Sequence, residues 1–137
     1  MSEQDKKKNQ DKERFDKGAE TMKKVYAGMV QSGEHGTDRF MDLMVPSIFG
    51  ELWNEDLLSI PQRRLFVMGI IAAQGEYDTL EIQCMAALLN GELSEDELRE
   101  IANQGAPYAG YPRAGGMRGA VERAIATVKG GGDIKVN

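Results

Sequence analysis

The sequence is poor in reactive side chains: its 137 residues include one cysteine, Cys84, and one histidine, His35. A lone cysteine cannot close an internal disulfide, and one cysteine with one histidine cannot build a four-ligand zinc site. Most catalytic triads are also excluded, because the single histidine lies in the glycine-rich loop 33–36. We therefore predict no metal and no cofactor.

The sequence also lacks a basic excess and a long apolar run. Its formal charge of -5 argues against nucleic acid or an anionic membrane as a partner. The longest apolar run, residues 65–73, is far shorter than the roughly 20 residues that span a bilayer. The N-terminus shows no apolar signal segment. These features predict a cytoplasmic protein that binds neither nucleic acid nor membrane.

The sequence predicts a tail at each end of the folded domain. Residues 1–12 contain one apolar residue, the initiator methionine, so we predict a disordered charged tail. Residues 130–132 are three glycines, which predict a helix stop and a flexible tail over 130–137. The hydrophobic content of 41% suits a single folded domain over residues 13–129.

Helical periodicity with short breaks fills this domain, and no convincing strand pattern is present. The first helix is predicted from about Glu13 to Gln31. The second follows a cap at Thr37 or Asp38 and reaches Pro46, after which residues 47–53 continue it or form a further turn. The third begins at Ser59 and Pro61 and is apolar on all sides over residues 65–73, which is typical of a bundle centre or a subunit contact.

Three more helices are predicted before the glycine tail. The fourth runs from Tyr77 to Asn90, with Gly91 at its C-terminal end. The fifth starts at the capping box of Ser94 and Glu97 and reaches about residue 108, and the last runs from about residue 112 to 129. The expected fold is an all-α, single-domain antiparallel bundle of about six helices.

Four stretches in this order resemble the carboxymuconolactone decarboxylase family and its relatives, the alkyl hydroperoxidase D proteins. They are FGELW at 49–53, Arg63 leading into the helix that ends AAQG at 72–75, AALLNG at 86–91 followed by Leu93 and Ser94, and YAGYP at 108–112. The resemblance covers roughly residues 13–128. It implies an alkyl hydroperoxidase D-like helical protomer that assembles as a ring, often a hexamer built as a trimer of dimers.

The chain departs from the family at the residue associated with proton transfer. In the family this is a histidine eight residues before the glycine that ends the fourth helix, and here that position holds Gln83. Glutamine can donate and accept hydrogen bonds but cannot act as a general acid or base. The alkyl hydroperoxidase D cysteine pair is also missing, since its positions hold Glu76 and Thr79. Thiol peroxidase chemistry is therefore not expected, and Cys84 is expected to be a small buried hydrophobe.

The resemblance implies two further catalytic candidates. Arg63 matches a family arginine whose donors suit a substrate carboxylate, although a solvent or inter-subunit ion pair would also explain it. Glu51 matches the glutamate before the family tryptophan. It would have a raised pKa if Phe49 and Trp53 desolvated it, whereas the alternative is a surface glutamate or a partner of Arg63.

Three aromatic residues complete the candidate site: Trp53, Tyr108 and Tyr111 are expected to pack or to line a substrate pocket. Two hypotheses follow. The first is a cofactor-free carboxy-lyase acting on a small carboxylated lactone or related acid, as in aromatic compound catabolism, with Arg63 and Glu51 central and Gln83 orienting. The second is a non-catalytic, oligomeric scaffold or small-acid-binding protein, which the missing histidine favours.

Overall fold

A computed structural model describes residues 1–136, and within them the chain is all-helical, as the sequence predicts. The helices are α1 Glu3–Val25, α2 Arg39–Met44, a π-helix Val45–Leu52, α3 Ile60–Ala73, α4 Tyr77–Leu89, α5 Glu95–Ala109 and α6 Tyr111–Gly130. Internal contacts divide them into two compact units. The N-terminal unit is Met1–Leu58 with Lys135 and Val136, and the C-terminal unit is Ser59–Ile134.

Helix α1 begins at Glu3, so the backbone is helical where the sequence predicts a disordered tail and a start near Glu13. A capping box explains the early start, because the Ser2 hydroxyl accepts from the Asp5 amide while the Asp5 carboxylate accepts from the Ser2 amide. The side chains of residues 1–10 are all exposed. This first part of the helix is therefore supported by local interactions and not by burial.

The same helix ends at Val25, earlier than the predicted end at Gln31. Ala27 and Gly28 adopt positive φ angles of 51° and 77°, a backbone conformation that a right-handed helix cannot contain. The periodicity of the apolar residues continues past this point, which explains why the sequence pattern overestimates the helix.

Helix α2 starts where the sequence predicts, since the Asp38 carboxylate accepts from the Phe40 amide. The chain then widens into the π-helix, in which the Trp53 amide donates to the Ile48 carbonyl at 2.8 Å. Phe49 on this helix stacks on Trp53, with ring centroids 6.4 Å apart, and meets the edge of Tyr26 at 5.7 Å. These rings form the aromatic part of the core of the N-terminal unit.

Gly18 allows α1 and the π-helix to approach closely. A Cβ atom at this position would lie 2.3 Å from the Val45 carbonyl oxygen, a separation that real Cβ atoms do not show. Because the obstructing atom belongs to the backbone, a side-chain rearrangement cannot relieve the clash. The contact therefore requires glycine at position 18.

Helix α3 opens at the predicted cap Ser59, and Gln62 completes a second capping box that the sequence analysis does not predict. Its buried residues form a single stripe with a spacing of four: Arg64, Met68 and Ala72. Several of its apolar side chains face outward, among them Phe66 at 71% exposure. The sequence predicts either a bundle centre or a subunit contact for this helix. The exposure of its outward side chains does not fit a bundle centre and favours the subunit contact.

Helices α4, α5 and α6 supply most of the core of the C-terminal unit. Gly75, with φ of 75°, separates α3 from α4, and Ser94 and Glu97 form the predicted capping box of α5. Gly110 separates α5 from α6, which begins at Tyr111, one residue before the predicted start. The core-facing side chains of these helices are small or medium-sized, with alanine prominent: Ala86, Ala87, Ala102, Ala106, Ala114, Ala120 and Ala124.

The sequence predicts a flexible tail over residues 130–137, whereas Lys135 and Val136 make specific contacts inside the N-terminal unit to which they belong. The Val136 amide donates to the Met29 carbonyl at 2.9 Å, and Val136 pairs with Val30 as an isolated parallel bridge. Asn137 lies outside the described residues. Within residues 1–136, no helix has both the length and the apolar character needed to cross a membrane.

The close approach at Gly18 generates a stability prediction. Gly18→Ala is expected to lower the free energy of unfolding by about 1–3 kcal/mol, as overpacked sites generally do. Gly69→Ala is the matched control, because a Cβ there meets open space and removing a helix glycine stabilises by up to about 1 kcal/mol. Urea denaturation of both variants measures the difference, and equal effects at the two sites would contradict the proposed clash.

Candidate functional site

The most unusual feature of the C-terminal unit is a fully buried arginine. Arg64, on α3, has 0% side-chain exposure, and its partner Glu92 has 6%. The guanidinium donates from Nε to Glu92 Oε1 at 2.7 Å and from Nη2 to Oε2 at 3.0 Å. This parallel pair of hydrogen bonds is the strongest arrangement available between these groups, and it neutralises the buried charge.

Gln83, one of the three catalytic candidates, belongs to the same cluster. Arg64 Nη1 donates to Gln83 Oε1 at 2.7 Å, and Gln83 is 2% exposed. An arginine has no acceptor, so the amide oxygen and not the nitrogen must face it. We call Arg64, Gln83 and Glu92 the buried polar network.

The end of α4 explains how Glu92 reaches the network. Gly91 has a φ of 67° and reverses the chain, while the Glu92 amide donates to the Ala87 carbonyl at 2.9 Å and the Gly91 amide to the Leu88 carbonyl at 3.1 Å. These two bonds are the Schellman ending that the Asn-Gly pair favours. Asn90 also donates to Glu92 Oε2 at 3.2 Å. The NG element therefore orients the carboxylate that compensates Arg64.

The buried polar network is internally satisfied. Within residues 1–136, no buried side-chain nitrogen or oxygen lacks a hydrogen-bond partner. The positive charge of Arg64 is already matched by Glu92, and the Gln83 amide has no pKa in the working range, so it cannot act as a general acid or base. The arrangement holds three segments of the chain together, and it offers neither a free cation nor a general acid.

The two other catalytic candidates lie in different surroundings. Glu51, in the N-terminal unit, has 66% side-chain exposure and accepts from Arg14 at 2.8 Å. The hypothesis of a desolvated carboxylate beside Trp53 is therefore not supported, because the surface alternative describes Glu51 better. Arg63, in the C-terminal unit, is half-buried at the start of α3, and it is its neighbour Arg64 that contacts Gln83.

The three aromatic candidates do not share one environment. Trp53 is 8% exposed and packs in the core of the N-terminal unit, whereas Tyr108 and Tyr111 are 85% and 79% exposed in the C-terminal unit. Tyr108 borders an apolar groove of about 380 Å³ between α3, α5 and α6. Tyr111 borders a more polar pocket of about 420 Å³ between α5 and α6. The structure thus gives the two tyrosines different neighbours.

The α5–α6 pocket carries two arginines. Arg99 on α5 and Arg118 on α6 line it together with Asn103, Tyr111 and Glu122. Arg99 donates from Nε to Glu122 Oε1 at 2.8 Å and from Nη1 to Asp96 Oδ1 at 3.1 Å. The hydrogen bond from Arg99 is the main cause that lowers the pKa of Glu122 below its usual value.

Cys84 and His35 behave as packed side chains. Cys84 is 0% exposed, and burial, assisted by the negative charge of Glu81, raises the pKa of its thiol to about 12. His35 is half-buried, with its ring 5.6 Å from that of Phe15. Within residues 1–136, no group of three or more His, Cys, Asp or Glu side chains is placed to hold a metal ion.

The sequence contains signals for the two missed residues, Arg64 and Glu92. Arg64 shares a spacing of four with Met68 and Ala72, which marks the inward face of α3. Glu92 directly follows the glycine predicted to end α4, where the chain reverses. Neither signal reveals the partner, because the two residues lie 28 positions apart and only the packing of α3 against α4 brings them together.

The buried thiol gives a chemical prediction. In the native protein at pH 8, Cys84 is expected to remain unmodified by a thiol reagent such as Ellman's, because only about 10⁻⁴ of a thiol with this pKa is ionised. In denaturing urea the same thiol should react fully. Rapid labelling of the native protein would contradict the placement of Cys84 in the core.

The buried polar network gives a stability prediction. Glu92→Gln removes the negative charge of the carboxylate that accepts two hydrogen bonds from the buried Arg64 guanidinium, and is expected to lower the free energy of unfolding by about 3–5 kcal/mol. Glu81→Gln is the control, because it removes the partner of Arg123, which is 52% exposed, and such pairs contribute about 0–1 kcal/mol. Urea denaturation distinguishes the two, and a similarly small loss in both variants would refute a central role for the Arg64–Glu92 pair.

Comparison with known proteins agrees with the resemblance seen in the sequence motifs. No curated protein and no solved structure matches the chain. The profile of the Carboxymuconolactone decarboxylase family matches residues 38–123, more than half of the 137 residues. The matched span runs from the cap of α2 into α6 and includes the whole buried polar network. The chain therefore belongs to the carboxymuconolactone decarboxylase family.

Proposed function

We propose that this protein is a family member that binds a small carboxylated acid without decarboxylating it. The observation that carries the proposal is the hydrogen bond of 2.7 Å from the buried Arg64 to Gln83. Decarboxylation needs a proton donor and a positive charge directed at the substrate. The Gln83 amide cannot act as a proton donor or acceptor in general acid–base catalysis, and the Arg64 charge is already compensated by Glu92.

The substrate class of the family supports a small acid as the ligand. A protein that keeps the family fold and loses its proton carrier can still use arginine donors to bind a carboxylate, because binding and proton transfer require different groups. The C-terminal unit offers such donors outside the buried polar network, notably Arg118. Binding without turnover is consistent with both features.

A cofactor-free lyase is the second candidate, favoured by the family match over residues 38–123. In that hypothesis Arg63 binds the substrate carboxylate, Glu51 exchanges the proton and Gln83 orients the substrate by hydrogen bonds. The exposure of Glu51 allows exchange with water, but it does not provide the desolvated carboxylate that efficient proton transfer would use. For this reason the binding function is preferred.

We also propose a homo-oligomer, for which a hexameric ring is the family expectation. The supporting observation is the outward apolar face of α3, where Leu65, Phe66 and Ile70 are 46%, 71% and 45% exposed. Apolar side chains concentrated on one helix are a common sign of a contact between protein surfaces. The cytoplasm remains the predicted compartment.

The proposed function predicts no lyase activity. Purified protein incubated with γ-carboxymuconolactone is expected to show neither loss of ultraviolet absorbance nor release of CO₂. Gln83→His alone is expected to leave this unchanged, since the new imidazole would lie beside the Arg64 guanidinium, which opposes its protonation. Light scattering on the same samples verifies that assembly is intact.

Two outcomes would decide between the candidates. Turnover by the unmodified protein that falls at least tenfold in Arg63→Ala or Glu51→Ala would refute the non-catalytic proposal and support the lyase. Lys8→Ala serves as a control for surface substitutions, because Lys8 is an exposed residue near the start of α1, outside the pocket that Glu51 lines with Arg14 and Lys17. Absence of turnover together with calorimetric binding of small carboxylates would support the proposal.

A further inference from the structure

We infer that the α5–α6 pocket is the binding site for a small planar carboxylate, with Arg118 as the residue that holds the acid group. This inference rests on the proposed function and gives it a location. The pocket has a volume of about 420 Å³, near the lower end of the roughly 300–1,000 Å³ typical of ligand sites. A single-ring acid is the size of ligand that such a volume favours.

The pocket exists because small residues face it from both helices. Ala102 and Ala106 lie four residues apart on α5, and the adjacent Ala114 and Gly115 line the pocket from α6. None of them has a side chain that extends beyond Cβ, so the space between the helices stays open. Their apolar surface suits the face of a ring rather than a polar chain.

The charges at the rim distinguish the two arginines. Arg99 is bonded through Nε and Nη2 to both oxygens of Glu122, at 2.8 and 3.3 Å, so each charge has its partner. Arg118 lies one helical turn before Glu122, and across residues 1–136 no carboxylate oxygen lies within 4.0 Å of its guanidinium. Arg118 is therefore the cation of the pocket whose donors remain available for a ligand carboxylate.

The remaining lining residues suit the rest of such a ligand. Tyr111 is 79% exposed, and its ring borders the same pocket in which Asn103 supplies an amide. An exposed aromatic face offers a surface on which a planar ring can stack, and an amide can donate to or accept from a ring substituent. The pocket thus offers the Arg118 cation, the Asn103 amide and the Tyr111 ring beside a surface of alanine side chains. This combination favours an aromatic carboxylate over an aliphatic dicarboxylate.

Calorimetry with benzoate, using the intact full-length protein, tests the site. Arg118→Gln is expected to weaken benzoate binding at least tenfold. Gly115→Leu should have a similar effect because it fills the pocket, and a Cβ at this position meets no atom within 4 Å, so the fold should tolerate it. Arg113→Gln is the matched control, since Arg113 is an exposed arginine of the same helix that does not line the pocket.

The outcomes separate this inference from the proposed function. Benzoate binding that survives both Arg118→Gln and Gly115→Leu would overturn the location while leaving acid binding in place. Benzamide binding as tightly as benzoate would overturn the role of charge. Failure of the unmodified protein to bind benzoate or any small mono- or dicarboxylate would refute the binding function itself. A selective loss in the two pocket variants, with Arg113→Gln unchanged, is the supporting result.

Discussion

The need to compensate one buried positive charge organises the C-terminal unit. A guanidinium with 0% exposure must meet a carboxylate and further acceptors, because an isolated buried charge is strongly destabilising. Arg64 meets this requirement through Glu92 and Gln83, which belong to the end of α4 and its body. The same bonds hold α3 against α4, and the chain reversal at Gly91 directs the Glu92 carboxylate toward Arg64.

This constraint also bears on chemistry. A proton carrier works best when its pKa lies near the operating pH and when it is free to approach the substrate. Gln83 meets neither condition, because an amide does not titrate and its oxygen is bonded to Arg64. A side chain that secures a buried ion pair cannot also move during a reaction without weakening that pair. Stability and proton transfer therefore compete for this position.

Local features of the fold could be predicted from the sequence, and long-range ones could not. Helix caps and stops depend on residues close together in the sequence, so they can be predicted from the residue types alone. The examples here are the caps at Asp38, Ser59 and Ser94 and the glycine at position 91. Two local features are missed as well. The π-helix departs from the 3.6-residue period of an α-helix, and the exposed residues 1–10 of α1 carry no apolar periodicity, although the Ser2–Asp5 capping box that starts this helix is local.

The candidate site shows the same division. Gln83 was identified through its distance from Gly91, which is a count along one helix. The family motif points to Arg63, whereas the inward stripe of α3 passes through its neighbour Arg64. Glu92 was missed because its importance comes from a partner 28 residues away. Sequence spacing therefore locates a position more reliably than it identifies what that position contacts.

Arg64 and Arg118 lie in different environments, and under the proposed function this difference explains how a chain without a proton carrier can bind an acid. Arg64 is buried and fully compensated, so its charge contributes to the fold and is not directed at a ligand. Arg118 lies at the rim of the α5–α6 pocket, where a carboxylate can reach it from solvent. Arg64 and Arg118 lie on different helices, and neither Gln83 nor Glu92 lines the α5–α6 pocket, so the proposed acid-binding site does not include the residue at position 83. Under the proposed function, acid binding therefore requires no proton carrier at position 83.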